Sequence, residues 1–383
     1  MQLRREHIQR LAEECGFSLG GVAEVPPADS AQSAEERQRF EHWIASGAAG
    51  EMEYLKRRNE DGELLRSSIR AVFPWAKSVI VCAANYNGAP VRSIDPAPGG
   101  SAWIARYAWS GQKAGQQGGE DDERLRPSDY HKVLLKRIKA IEDRLQQEHG
   151  PFESRAFVDT GPIVERVYAR YAGLGWTGKN TCMISQGKGS WMFLGVLMTS
   201  LEVAEDSVAV MAQDRCGSCT RCIDACPTDA LTPYRMDASR CIAYLTIEKR
   251  GVIEGGEGEV DLRTGIGRNV FGCDICQEVC PWNRKAPLVN DAELIPRQEL
   301  MNPALDWLGA MSEADFGRWF FGSPVKRAKY DGFLRNVAIA MGNSGREEYL
   351  PQLRAWLGTE DEGLRNAAAW ALEQLGEKTQ TAS

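Results

Sequence analysis

The sequence predicts an α+β chain in three parts: an N-terminal α/β domain at 1–204, a cysteine-organised domain at 205–290, and a helical linker with repeats at 291–383. Three observations carry that division. Strand-like and helix-like segments alternate up to about residue 200. Eight of the eleven cysteines crowd between Cys216 and Cys280, and an Arg-Asn-Ala-rich segment recurs thirty residues apart near the end.

Taken in order, Ile8, Leu11, Ala12 and Cys15 fall on one helical stripe that stops near Gly20-Gly21. A second helix is expected from about Ala34 to Ser46, with Phe40, Trp43 and Ile44 turned inward. Ser78-Val-Ile-Val-Cys-Ala-Ala is apolar enough for a strand buried on both faces, which makes Cys82 a packing residue. Gly, Pro and charge then dominate from about Gly88 to Ser128, as in a long loop, around the apolar run Ser101 to Trp109. Asp129 is placed to cap a helix reaching about Gln147. The strand Arg155-Ala-Phe-Val-Asp159 follows, then a helix from Pro162, the turn-rich Gly173 to Asn180, and two strands around Cys182-Met-Ile184 and Trp191-Met-Phe-Leu. Residues 290–325 read as a mostly helical connection. The final pair, Arg335-Asn-Val-Ala and Arg365-Asn-Ala-Ala, reads as a short HEAT-like cap, since such units bury their apolar face on a neighbour.

The chain has 383 residues and a formal charge of -7, so its overall field does not mark a nucleic-acid binder. Basic groups are local: Lys56-Arg57-Arg58, Lys136-Arg137, Arg284-Lys285 and Lys326-Arg327 with Lys329. The paired arginines at the start have no apolar run behind them, and no apolar stretch is long enough to span a membrane. A cytoplasmic location without membrane contact is expected.

The cysteines carry the chemistry. Cys216-x-x-Cys219-x-x-Cys222-x-x-x-Cys226-Pro is the run in which three thiolates hold one 4Fe-4S cluster and the fourth crosses to another. The crossover assigns Cys216, Cys219, Cys222 and Cys280 to one cluster. Cys226, Cys273 and Cys276 belong to the second, with Cys241 replacing the thiol that Val270 cannot supply. Zinc also accepts paired cysteines, but the Cys-Pro after both runs and the three-residue step favour iron and sulfur in a ferredoxin-like domain. Clustered cysteines without an export signal argue against a disulfide framework.

Clusters move single electrons, so the first domain should hold what consumes them. Neither a dinucleotide fingerprint nor a P-loop is present, and four histidines make a His-rich metal site improbable. Asp159, at the end of an apolar strand before Thr-Gly-Pro, is the best acid–base candidate, because partial desolvation there raises a carboxyl pKa toward proton donation. Capping the next helix is its competing role. Asp129-Tyr-His131 forms a second polar group.

Ala105-Arg-Tyr-Ala-Trp109, Asp129-Tyr-His131, Val158-Asp-Thr-Gly161, Ala172-Gly-Leu-Gly-Trp-Thr-Gly-Lys-Asn180, Arg240-Cys-Ile-Ala-Tyr-Leu-Thr246 and Gly267-Arg-Asn-Val-Phe-Gly-Cys273, in this order around the eight cysteines, resemble the epoxyqueuosine reductases over nearly the whole chain. That resemblance implies an oxidoreductase with two 4Fe-4S clusters and cobalamin, the latter bound by the first domain. The reaction is reduction of epoxyqueuosine to queuosine at the wobble position of tRNA. The expected partners are a tRNA with a GUN anticodon carrying epoxyqueuosine and an unidentified reductant protein, and the enzyme is expected to be a monomer. By match, Asp159 is the proton donor and a cofactor contact, Arg66 is a cobalamin contact, and Ile184 and Leu194 line the corrin. No Asp-x-His-x-x-Gly is present, so cobalt would lack that motif's histidine, and Ala105 stands where some members have Cys. A reductive dehalogenase and an iron-sulfur electron-transfer protein are the alternatives; bound corrinoid separates the last from either enzyme.

Overall fold

The computed structural model describes residues 2–109, 129–254, 261–288 and 291–377. The loop expected at 110–128 lies outside them. Near the start, helix α1 (Arg5–Glu14) packs its Ile8, Leu11 and Ala12 stripe inward. The central sheet holds β1 (Leu19–Glu24) and β2 (Ser78–Asn85), with two strands that come later in the chain. Between β1 and β2 lies α2 (Ala31–Ala45), capped by Ser30, whose hydroxyl accepts from the Ser33 amide. It buries no residue: Phe40, Trp43 and Ile44 are half-buried on the flank of the molecule, which corrects their expected core role.

After the short strand β3 (Trp103–Ile104), α3 (Tyr130–His149) starts at the Asp129 cap and leads into β4 (Ser154–Phe157). Helix α4 (Glu165–Tyr171) and β5 (Met192–Thr199) complete the first domain. The sheet order is β1-β2-β5-β4, and every neighbouring pair is antiparallel. The α/β label for this domain is therefore corrected to an antiparallel α+β arrangement. The physical reason is coverage. Ile80, Cys82 and Leu197 face α1 and α3, while Val79, Val81 and Val196 face α4, so the central strands are apolar on both sides as parallel strands usually are.

A second core joins all three parts of the chain. In it β3 pairs in parallel with β6 (Asn269–Phe271), so the segment around Trp103 packs with the cysteine-rich region rather than with the central sheet. Also within it are α5 (Ile242–Ile247), α6 (Tyr330–Asn343), α7 (Leu350–Trp356) and α8 (Glu362–Gln374).

The two Arg-Asn copies in the tail have different surroundings. Arg335 and Asn336 are 2% and 0% exposed. Arg335 donates to the carbonyls of Leu245, Lys249 and Gly251 at 2.8, 2.9 and 2.8 Å, and Asn336 donates to those of Thr246 and Val270 at 2.8 and 2.9 Å. The Leu245 and Thr246 carbonyls are at the C-terminal end of α5, the helix whose N-cap is Cys241, and the others lie just beyond it and in β6. Arg365 and Asn366 are exposed on α8, where Arg365 reaches the Thr359 carbonyl. Removing Arg335 strands the buried Leu245 carbonyl and releases those of Lys249 and Gly251 nearer the surface, so Arg335→Ala should cost about 3 kcal/mol, against about 0.5 or less for Arg365→Ala. Urea unfolding of the two variants beside the parent checks this, and equal losses would refute it.

Candidate active site

The eight thiols gather as two groups. Cys216, Cys219, Cys222 and Cys280 lie within electrostatic reach of one another, and so do Cys226, Cys241, Cys273 and Cys276. All are free thiols. Cys216, Cys219 and Cys222 of the first group sit in an exposed loop, with Gly217, Ser218, Thr220 and Arg221 open to solvent, while Cys280 is 7% exposed. The second is enclosed: burial raises the thiols of Cys241 and Cys273, and a contact with Cys182, then burial, raises that of Cys276. Among the described residues no three His, Cys, Asp or Glu converge as ligands of a single metal ion.

The first domain holds this arrangement through one hairpin. Trp176-Thr177 pairs antiparallel with Met183-Ile184. A Cβ on Gly175 would lie 2.2 Å from the Ile184 carbonyl oxygen, so only glycine lets the hairpin close. At its tip Lys179 donates to the carbonyls of Gly217 and Cys219 at 2.6 and 3.0 Å, and Asn180 donates to that of Cys276 at 3.2 Å. One turn thus grips both thiol groups. Cys182 lies against Cys276, a contact the sequence did not reveal.

Asp159 has φ 60°, in the left-handed region that non-glycine residues enter only under constraint. It does not cap α4, whose cap residue is Val164. Its side chain is 68% exposed, so the expected desolvation is absent. Tyr130 donates to Asp159 Oδ2 at 2.9 Å; its ring is buried and lies between Phe193 at 4.0 Å and His131 at 3.9 Å. His131 Nε2 is 3.9 Å from the same oxygen, and its Nδ1 is 2.8 Å from Asp129 Oδ1. Asp129 thus caps α3 and also orients the histidine.

Sequence reasoning missed Glu165. Its Oε1 is buried without a hydrogen-bond partner. Burial first, and the charge of Asp159 second, push its carboxyl up to about 7. Arg66 opposes that shift and donates to the Ile163 carbonyl at 3.3 Å, which places it beside the same loop. Arg66 also lines a cavity of about 720 Å³ with Ile163, Arg166, Tyr168 and Thr181, within the size range of organic ligand sites. Leu194 is half-buried against the α4 side of the sheet, and Ile184 is buried with Trp176 and Cys280. These two and Asp159 are not in the lining of that cavity.

A double thiol site clamped onto a second domain defines an iron-sulfur protein, and residues 215–283 match the family of 4Fe-4S double cluster binding domains. Residues 66–160 match the family described as epoxyqueuosine reductase QueG, DUF1730. An epoxyqueuosine reductase of Xanthomonas campestris pv. campestris is 36% identical over 96% of this chain and 95% of its own length. One of Synechocystis is 38% identical over 82% of this chain and 98% of its own. The chain belongs to the epoxyqueuosine reductase family. Among solved structures, epoxyqueuosine reductase with an epoxyqueuosine-modified tRNA-Tyr stem loop superposes with TM-score 0.80 at 26% identity, over 97% of this chain and 90% of that one. The Bacillus subtilis enzyme, with its catalytic aspartate loop swung out of the active site, gives 0.78 at 25% identity, over 97% and 90%.

The raised Glu165 carboxyl predicts a pH effect. Because the folded state binds this proton more tightly than the unfolded chain, its contribution is fully favourable below about pH 4.5 and declines as pH rises through about 7. The swing is about 3 kcal/mol at most. Glu165→Gln should flatten the stability difference between pH 5 and pH 8 by that amount. Parallel pH dependences of thermal unfolding in parent and variant would show that Glu165 is not the titrating group.

Proposed function

We propose that this chain reduces epoxyqueuosine to queuosine in tRNA, with Asp159 donating the proton to the departing oxygen. The observation that carries the residue assignment is the Asp159 carboxylate, held in a constrained backbone and fixed by Tyr130. The reaction consumes two electrons and two protons and releases one water. In this reading Cys216, Cys219, Cys222 and Cys280 hold one cluster, and Cys226, Cys241, Cys273 and Cys276 hold the other. The three regions 1–204, 205–290 and 291–383 are its catalytic, cluster and HEAT-like parts.

The unpartnered Glu165 oxygen, beside Arg66 and Asp159, fits an organic cofactor, and we assign cobalamin to this face with Arg66, Ile184, Leu194 and Asp159 as contacts; of these four only Arg66 also lines the cavity of about 720 Å³. Cobalamin, when bound, supplies the reduced cobalt for the epoxide reduction. Tyr130 holds the Asp159 carboxylate in place. The Asp129-His131 pair sets the imidazole beside it, and Glu165, whose carboxyl is pushed up to about 7, limits negative charge beside Asp159.

For the tRNA, a patch of arginine and aromatic side chains lies close to Asp159. Arg66 and Arg327 stand 5.7 and 5.2 Å from the Tyr54 ring, and Arg327 is within electrostatic range of Asp159. Lys326 lies over Phe321 at 5.9 Å. Exposed rings flanked by cations suit unstacked bases and phosphates of an anticodon loop. Arg327 is also bound to Glu248 at 2.5 Å, which fixes its direction.

The decisive assay combines the reconstituted protein, cobalamin, a low-potential reductant and epoxyqueuosine-containing tRNA under anaerobic conditions, with the nucleoside read by mass spectrometry. Queuosine should form only with cobalamin, and Asp159→Asn should lower turnover at least 100-fold, the scale of a lost general acid. Parent-like turnover in that variant would remove Asp159 from the mechanism. No product from protein holding eight irons and corrinoid would overturn the function. Arg327→Ala should weaken tRNA binding about tenfold and reduce the salt slope by about one; binding unchanged in both respects would move the RNA elsewhere.

A further inference from the structure

We infer that Trp176 donates its indole N–H to sulfur of the outer cluster, the one held by Cys216, Cys219, Cys222 and Cys280, and thereby raises the potential of that cluster above the value its exposed loop alone would give. This rests on the two-cluster reading, and the test keeps the two apart.

Trp176 is 2% exposed, and its Nε1 is buried with no hydrogen-bond partner. A tryptophan N–H buried without an acceptor is costly, so tryptophans in protein interiors normally find one. This ring is packed with Ile184 and Cys280, with Cys216 and Trp282 at the edge of the same apolar group. Its N–H is directed toward the Cys216 sulfur, a poor acceptor as a neutral thiol. Iron-bound thiolate and cluster sulfide carry negative charge and accept such a donor well.

Two further features hold the indole in place. Trp282, two residues after Cys280, stands edge-on to it at 5.0 Å and 79°. The backbone of Trp176 is paired with Ile184 in the hairpin whose tip grips the Cys219 loop through Lys179. The ring therefore cannot turn its N–H to solvent without breaking the clamp.

A hydrogen bond to sulfur stabilises the reduced, more negatively charged cluster and raises its potential. The cysteines packed with this indole, Cys280 and Cys216, both belong to the outer group. Trp176→Phe keeps an aromatic ring but removes the donor, while Trp282→Phe removes the edge-on neighbour and keeps the donor.

The experiment is an EPR-monitored redox titration of the reconstituted eight-iron protein. In Trp176→Phe, the outer cluster should show at least a tenfold lower reduced-to-oxidised ratio at fixed ambient potential, about 59 mV for a one-electron couple. The inner cluster, and both clusters of Trp282→Phe, should stay at parent values. An outer cluster unmoved in Trp176→Phe, or moved equally in Trp282→Phe, overturns the inference. If Trp176→Phe loses iron, pulsed EPR on the parent and Trp282→Phe, both labelled with 15N-indole tryptophan, decides. A 15N coupling to the outer cluster in both supports the hydrogen bond, and its absence refutes it. A parent chain that assembles no second cluster would instead sink the two-cluster reading itself.

Discussion

A buried carboxylate between two cysteines of the inner group ties the halves of this protein together. Asp274 is 1% exposed, and its Oδ2 accepts from the Arg106 amide at 2.7 Å and from Trp103 Nε1 at 3.0 Å. Both donors come from the segment that precedes residue 110. Burial, and then Glu278, push the Asp274 carboxyl up to about 7. Arg106 is itself buried, donates to Asn87 and to the carbonyls of Ala89 and Val91, and stacks on Trp109 and Trp191 at 5.1 and 4.6 Å. Residues 101–109 both cover Asp274 and supply these two donors to its carboxyl, so its burial at the Cys273-Cys276 turn is satisfied only when that segment is docked. The cysteines thus depend on the first domain for their geometry. The domain boundary drawn through the sequence does not separate two independent units.

Close contact at the same place fixes the approach of Cys273. Gly272 has φ 68°, and a Cβ there would lie 2.6 Å from that of Ala105. Position 105 is fully buried against it, so a larger residue at either position must displace the other. The Thr246 hydroxyl accepts from the Gly272 amide at 2.9 Å, and Thr246 ends the helix whose carbonyls Arg335 and Asn336 satisfy. Hydrogen bonds therefore run from the helical tail to Gly272, the residue before Cys273. The tail acts as a brace through the Arg335-Asn336 pair and through Asn343, which donates to the Arg263 and Gly267 carbonyls.

The grouping of the cysteines was legible because ligand spacing is a covalent, local property. The sheet was not: its strands are buried on both faces, and apolar periodicity cannot tell an antiparallel sheet covered by helices from a parallel one. Helix α2 was legible in position but not in burial, since Trp43 gives its Nε1–H to the Met236 carbonyl at 2.7 Å on the flank of the molecule instead of entering the core. Asp159 stood out by its place at a strand end, whereas Glu165 did not, because an unpaired buried oxygen is a property of three-dimensional packing. The Arg335 and Arg365 copies look equivalent in sequence, and only the first has carbonyls to meet.

The two thiol groups differ in a way that orders them. The outer group lies in a loop whose intervening residues face solvent, and the inner group is walled by Asp274, Cys182 and the β6 strand. Burying a charged cluster in a low-dielectric surround disfavours its more negative, reduced form, while exposure favours it. Left to burial alone, electrons would rest on the outer group, nearer solvent and away from the inner group. The Asn180 side chain holds the Cys276 carbonyl of the inner group, and Lys179 holds the Gly217 and Cys219 carbonyls of the exposed outer loop. The Trp176 donor inferred above acts in the same direction as exposure and widens the difference between the two sites. It comes from the same Trp-Thr-Gly-Lys-Asn turn that holds both cysteine groups to the first domain, so one turn bears on the docking and on the order of the sites.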